Sequence, residues 1–374
     1  MLLEFFQSWA GRNTIVLLLL AGLLVLLLRL SRREYWRLAA REIIQSKLAV
    51  LSFVLLCLYA LVAVLDSVGW RSPVRDADGV LCRSQPDGEI IYDQGLSVLD
   101  RLLTPLRTRQ EKTYSAPLAR VQFTSETQAV PGGASQRVRP PLRYPGTHLL
   151  GTDRIGVDVL YQSLKSIRTG MIIGLLTTLL AVPFAMFFGI TAGYYGGFLD
   201  DCIQYLYTVM SSIPTVLFIA AFMIIFGQGL PQLCLAMGIA SWTYLCRLLR
   251  AETLRLREAE FVQAAIVLGT PSWRIIFRHI IPNVLHLVLI TAMLRFSSEV
   301  LAEAALTYLG IGVGADTMSW GAMINDARME LTRDPVIWWK LLAAFIFMLG
   351  LVLPANIFGD TVRDALDPKL RTQE

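Results

Sequence analysis

Long apolar runs, almost free of charge and separated by basic or Gly/Pro-rich links, leave this chain few ways to fold. About 20 apolar residues cross the roughly 30 Å hydrocarbon layer as a helix, and a spanning helix satisfies its own backbone hydrogen bonds where no water can. A buried soluble core accounts for one such run, but not for several in series. With 55% hydrophobic residues, 17% charged residues and a mean hydropathy of +0.54, the fold class is an all-α polytopic membrane protein. The runs are Thr14 to Leu28, Leu48 to about Leu65, Thr169 to about Ala192, Tyr205 to Phe226, Leu230 to Leu249, Val284 to about Leu309 and Trp338 to Phe358. They predict about seven crossings.

The net charge of +5 points to topology and not to nucleic acid, because basic residues mark loops that stay in the cytoplasm. The first run is short enough to suggest a signal peptide. However, Arg29, Arg32, Arg33, Arg37, Arg41 and Lys47 follow it and no small-x-small cleavage site is evident, so it reads as an N-terminal anchor. Residues 1–47 then form the anchor and a cytoplasmic basic segment, and 48–66 the first core span. Residues 67–165 form an insertion on the outer side, 166–360 the remaining membrane core with a cytoplasmic loop at 250–282, and 361–374 a cytoplasmic tail. In the insertion, QPDG between VLCRS and EIIYD predicts a hairpin turn. The insertion reads equally as a partly ordered loop or as a small subdomain.

The familiar enzyme patterns are missing. Cysteines 57, 82, 202, 234 and 246 show no CxxC spacing, and His148, His279 and His286 form no HExxH arrangement, so neither a metal site nor a disulfide framework follows. GxxxxGK[ST] does not occur, and GIGVGAD at 310–316 follows an apolar run and not a strand, which leaves no nucleotide fingerprint. Ser211, Ser212 and Ser298 have no His/Asp pattern beside them. Asp200 and Asp201 are expected to be solvated in a turn. Trp320, Trp338 and Trp339 read as anchors at the membrane interface. Gly170, Gly174, Gly189, Gly193, Gly196 and Gly197 permit close helix approach.

One short stretch between two apolar runs, EFVQAAIVLGTPSWRIIFRHIIPN, belongs to neither. Phe261, Ala264, Ala265 and Leu268 share one face of a helix that Gly269 can end. Thr270 can cap a second helix, Pro271 suits its first turn, Trp273, Ile276, Phe277 and Ile280 repeat the spacing, and Pro282 is expected to stop it. Arg274 and Arg278 fall on the opposite face. An interfacial hairpin on lipid head groups and a docking knob for a cytoplasmic partner both fit this pattern. In the next run Arg295, Glu299 and Glu303 recur every four residues. Charge at that depth requires protein or water against it, so the face meets a partner subunit or a translocation path, or forms a structural ion pair.

The same stretch resembles the Glu-Ala-Ala coupling loop of ABC-importer permeases of the dipeptide, oligopeptide and nickel group. LLGTDRIGVDVL, ITAGYYGGFLDD, LAEAALTYLGIGV, SWGAMI and GDTVRDALDPKL resemble further motifs of that group, in order over residues 147–371. Gln263 stands where the loop motif has Glu, with Glu260 three residues earlier; His279 replaces its usual Ile, and Val157 replaces the Arg of GTDxxGRDV. The resemblance implies a transport subunit of the bacterial inner membrane with its C-terminus in the cytoplasm, no cofactor or metal of its own, and no catalytic residues. It implies a second homologous permease, two cytoplasmic ATPase subunits carrying ATP and Mg, and a periplasmic substrate-binding protein. Coupling to the ATPases is then expected of Glu260, Phe261, Gln263, Ala264, Ala265, Gly269, Arg274, Arg278, His279 and Pro282. The matching periplasmic motif residues are Gly151, Thr152, Asp153, Gly156 and Asp158. Peptide export, and a membrane-anchored scaffold or sensor with a ligand-binding outer segment, are the alternatives.

Overall fold

The computed structural model describes residues 43–71, 95–129, 135–314 and 316–366, with scattered positions between 11 and 22. Most of the anchor at Thr14 to Leu28, the hairpin around QPDG and the tail beyond Leu366 lie outside the described residues.

Five helices are long and apolar enough to cross a membrane. They are α1 (Lys47–Ser67), α4 (Val159–Tyr195), α7 (Leu230–Arg257), the continuous helix Ser272–Tyr308, and α12 (Trp339–Leu366). A bent pair, α5 (Gly197–Ser212) and α6 (Thr215–Phe226), turns by 85° and brings the number to six if it is one span. The single crossing expected from Tyr205 to Phe226 is therefore broken. Pro214 has no N–H to give a helix and forces the residue before it out of helical geometry, and Ile213 is extended at φ −83°, ψ 124°. Among the described residues, the count stands at five or six, against the seven expected with the anchor.

Helix ends also depart from the hydropathy reading. α4 begins at Val159, about ten residues before the apolar run, because the Asp158 carboxylate accepts the backbone N–H groups of Leu160 (2.8 Å) and Tyr161 (3.2 Å) and caps a polar first turn. α12 runs on through Gly359 to Leu366, so the last apolar run does not end its helix at Phe358.

The chain divides into two compact units. One includes Cys57–Thr169 and Met318–Met348. It holds the paired strands β1 (Gly69–Trp70) and β2 (Leu96–Ser97), the short helices α2 (Val98–Leu102) and α3 (Thr104–Thr108), the antiparallel pair β3 (Glu126–Ala129) and β4 (Ser135–Val138), and α11 (Trp320–Glu330). The polar insertion is thus a folded element over its described part. Ser97 and Asp100 close a reciprocal capping box at the start of α2. Trp320 and Trp339 are buried, donating to the Ser163 carbonyl (3.2 Å) and the Thr152 carbonyl (3.0 Å). Of the three tryptophans read as interface anchors, only Trp338 is exposed.

The other unit includes Gly170–Thr317. Its core gathers Ala185 and Ile190 of α4, Trp242, Leu245 and Leu249 of α7, and Ile275, Ile280 and Val284. α4 and α7 approach until glycine is the only residue that fits. A Cβ on Gly189 would lie 2.6 Å from the Cys246 carbonyl oxygen, and one on Gly193 would lie 2.7 Å from that of Arg250. Asp200 does not lie solvated in a turn: it is held by Arg250 through contacts of 2.5 and 2.6 Å, while Asp201 is exposed. Paired charges of this bidentate form are among the stronger polar contacts.

Candidate functional site

The stretch between α7 and the following long helix folds as a hairpin. Its first arm is α8 (Glu260–Val267), which starts with Glu260 in the first turn, where a carboxylate suits the positive end of the helix dipole. Gln263 donates its amide N–H to the Arg257 carbonyl at the end of α7 (2.8 Å). A carboxylate could not make that bond, which gives the Gln in place of Glu a local purpose. The arm closes at Gly269, whose φ of +73° is the left-handed turn that favours glycine. Around it Leu268 bonds back to Ala264 (3.0 Å) and Thr270 to Ala265 (3.0 Å).

The second arm is α9 (Ser272–Ile275), which Pro271 precedes as the cap residue; Thr270 makes no cap bond. It does not stop at Pro282. A single π turn, Ile276–Ile280, follows and leads directly into α10 (Ile281–Tyr308). Pro282 would collide with the carbonyl four residues back in a regular α-helix. The widened turn before it, with the Ile281 N–H bonded to the Ile276 carbonyl five residues back, absorbs that conflict. The Asn283 side chain donates to the His279 carbonyl (2.6 Å).

This geometry decides which faces are buried. Val262 and Ala265 of the first arm and Ile275 and Ile280 of the second join the core, the latter pair five residues apart as the π turn requires. The periodicity had placed Trp273, Ile276, Phe277 and Ile280 together, whereas Trp273 and Phe277 are more than half exposed. Val267 and Leu268 are 86% and 83% exposed, with Phe261 and Ala264 also open. The hairpin is therefore fixed by one apolar face while a second apolar face is bare. Arg274 stacks over the Trp273 ring (5.3 Å), Arg278 is exposed beside it, and the Phe261 and His279 rings approach across the hairpin (6.2 Å).

In α10 the four-residue stripe is realised. Arg295 meets Glu299 at 3.5 Å, and Glu303, 1% exposed, accepts the Thr307 hydroxyl at 2.8 Å.

Gly151, Thr152, Asp153, Gly156 and Asp158 belong to the other unit, where they tie one loop together. The Thr152 hydroxyl donates to the Thr113 carbonyl (2.9 Å) and accepts the Ser115 N–H (2.7 Å). Asp153 accepts the N–H groups of Ile155 and Val157 and the Gln162 amide (2.6 Å). Gly156, at φ +76°, lies against the Glu111 backbone, and Glu111 in turn accepts the backbone N–H groups of Arg143 and Tyr144. His148, which no sequence pattern singles out, is buried with Nδ1 2.8 Å from Asp158. A second buried network was equally unmarked: Lys165 lies 2.6 Å from Asp66 and 2.9 Å from Asp100, and Arg168 lies 3.4 Å from Asp66.

Comparison with known proteins gives these features a context. Residues 185–372, which include the hairpin and the charged stripe, match the family described as "Binding-protein-dependent transport system inner membrane component". The oligopeptide transport system permease protein of Haemophilus influenzae is 37% identical over 226 residues, covering 60% of this chain and 72% of that protein. The dipeptide transport system permease protein of Alkalihalophilus pseudofirmus is 35% identical over 257 residues, 69% of this chain and 81% of that one. The glutathione transport system permease protein of Pectobacterium atrosepticum is 33% identical over 226 residues, 60% and 74% of the two chains. Among solved structures, an inward-facing form of the MetNI methionine ABC transporter aligns with 56% of this chain and 97% of that chain, at 13% identity and a TM-score of 0.46.

Proposed function

As a member of the family of binding-protein-dependent transport system inner membrane components, the chain is a permease subunit of an ABC transporter, and we propose that it imports peptides or a related small solute. The relatives named for oligopeptide, dipeptide and glutathione transport support that class of cargo. The observation that carries the mechanism is the bare apolar face of the hairpin at Phe261, Ala264, Val267, Leu268, Trp273 and Phe277, held rigid from behind by Val262, Ala265, Ile275 and Ile280. In this reading the face fills a groove on a cytoplasmic ATPase subunit. Two such ATPases, each with ATP and Mg, serve this permease and a second, homologous one, and a periplasmic binding protein delivers the cargo. The chain itself carries no catalytic residue and binds no cofactor. ATP binds the closed ATPase pair better than the open pair, and that difference in affinity is what shifts the bundle between inward and outward access.

A pull-down of the tagged full chain in mild detergent, read by mass spectrometry, tests this. The native chain is expected to bring down a second permease and ATPase subunits. Leu268→Asp, at an exposed position, is expected to lower ATPase recovery at least about tenfold, the scale of one leucine side chain losing its burial at an interface, and to leave permease pairing intact. A native chain that comes down without ATPases, under conditions that keep a known transporter whole, returns the hairpin to the lipid head groups.

Arg295, Glu299 and Glu303 are assigned to the inner bundle, against the path or the second permease. Arg295→Ala, Glu299→Gln and the double variant are each expected to slow solute uptake at least about threefold, because removing one member leaves a charge or an amide unmatched at membrane depth. Uptake at the native rate in all three variants, measured per molecule in the membrane, reduces the stripe to packing.

A further inference from the structure

Tyr114, the Asp153–Ile155 turn, α11, the connection to α12 and the first turn of α12 line a cavity of about 300 Å³. Its charges are sorted by depth. On the floor lie Glu330 and Lys340, 4% and 3% exposed, with the Tyr114 ring. The rim carries three exposed guanidinium side chains, Arg154, Arg328 and Arg333, the last stacked over the Tyr114 ring (5.3 Å).

Lys340 is already engaged: its ammonium lies 2.8 Å from Asp326 and 3.9 Å from Asp153. Glu330 is engaged on one side only: the Tyr114 hydroxyl hydrogen-bonds its carboxylate, but Oε2 is buried and meets no donor among the described residues. A buried carboxylate oxygen without a donor is costly, and Glu330 also ends α11, where the helix carbonyls add negative potential. Burial holds this carboxyl above its ordinary range, with Asp153 and Asp326 adding to the effect while Lys340 and Tyr114 oppose it. The floor lacks one positive donor, and the rim carries three guanidinium groups beside the exposed carboxylate of Asp326, which Lys340 holds.

A simple anion at this cavity would face Glu330, and a simple cation would have to pass three arginines. A molecule with an ammonium at one end and a carboxylate at the other satisfies both. We propose that this cavity is a binding site for a small zwitterion of the amino acid or dipeptide class, its ammonium on Glu330 Oε2 and its carboxylate on the arginine rim. Guanidinium groups suit the second role because they grip a carboxylate through two parallel hydrogen bonds. The volume lies at the lower end of those that hold small ligands. The lining residues named here all come from this chain.

The test is calorimetric titration of the full chain, in nanodiscs with whatever subunits accompany it, using L-alanyl-L-leucine as the probe. The expected result is saturable binding that weakens at least about tenfold when the dipeptide is N-acetylated and at least about tenfold when it is C-amidated, the scale of one charge-assisted hydrogen bond each. Glu330→Gln is expected to weaken the free dipeptide about tenfold and to leave the N-acetylated form unaffected, a pattern that misfolding would not produce. Arg154→Ala, at an exposed position that perturbs no core, is expected to weaken the free dipeptide about threefold. No binding of the dipeptide, equal binding of the capped forms, or native binding in both variants would overturn the assignment. Uptake by the intact transporter in the face of any of these would leave the permease reading standing.

Discussion

Gly156→Ala is expected to cost this protein more than about 4 kcal/mol, because the new methyl group has no space and the backbone no freedom. A Cβ there would lie 1.8 Å from the Glu111 carbonyl oxygen and 2.4 Å from its carbon, both backbone atoms that cannot swing aside. The φ of +76° adds strain of its own. The damage spreads through the loop, since the Glu111 N–H bonds the Gly156 carbonyl (3.0 Å) and the Glu111 side chain holds the 143–144 backbone. Gly146→Ala is the control. It has a similar φ of +71° but nothing within 4 Å of its Cβ, so strain alone should cost about 1 kcal/mol. Thermal unfolding in detergent and limited proteolysis between residues 95 and 158 distinguish the two; equal losses would show that the collision is relieved.

Lys165→Met is expected to cost about 3 to 5 kcal/mol, the usual penalty for leaving buried charge without its partner. Among the described residues Lys165 alone bridges Asp66 and Asp100, at 2.6 and 2.9 Å, and Asp66 is 1% exposed. Arg168, 3.4 Å from Asp66, covers only one of the two carboxylates. Adding Asp100→Asn should recover part of the loss, because one orphaned charge disappears. Acidity gives an independent check. Burial pushes Asp100 upward, but the Tyr161 hydroxyl, the Lys165 ammonium and the Ser97 N–H outweigh it and hold Asp100 below its ordinary value. A carboxyl lowered by folding contributes stability above its unfolded value of about 3.9, and that contribution is lost as pH falls through the lower folded value. The native chain should therefore keep this contribution down to about pH 4, and the gap between it and Lys165→Met should hold from pH 7 to about that point and narrow below it. A gap that stays constant with pH would show that Lys165 acts by packing.

The spans and the two arms of the hairpin were legible because they rest on local signals: unbroken hydropathy, a glycine that ends one helix and a proline that opens the next. What the sequence hid was of two kinds. Where a polar residue begins a helix, as Asp158 does for α4, hydropathy places the boundary too late. Where partners are remote, spacing says nothing. Asp200 and Arg250 are 50 residues apart, and Lys165 and Asp66 are 99 apart. The charged stripe at Arg295, Glu299 and Glu303 was readable because its members are neighbours on one helix. The Glu330 cavity was not, since its floor and rim come from three stretches of chain. The hairpin lies between these cases. Its residues were identified, but its faces were misjudged: the first arm grouped Ala265 with Phe261, Ala264 and Leu268, whereas Ala265 is buried and the other three are exposed, and the second arm assumed a uniform 3.6-residue repeat through a segment that contains a π turn.

That π turn sets an angle. Ser272–Tyr308 is one 37-residue helix, about 55 Å long at 1.5 Å per residue, with Trp273 and Phe277 near one end and Glu299 and Glu303 near the other. One inserted residue rotates everything beyond it by about 100° relative to an unbroken helix. The single extra residue at Ile276–Ile280 is therefore what aligns the compass bearing of the hairpin's exposed aromatics with that of the buried carboxylates. Because the aromatics and the carboxylates lie on one continuous helix, the width of this one turn fixes the bearing of the first relative to the second.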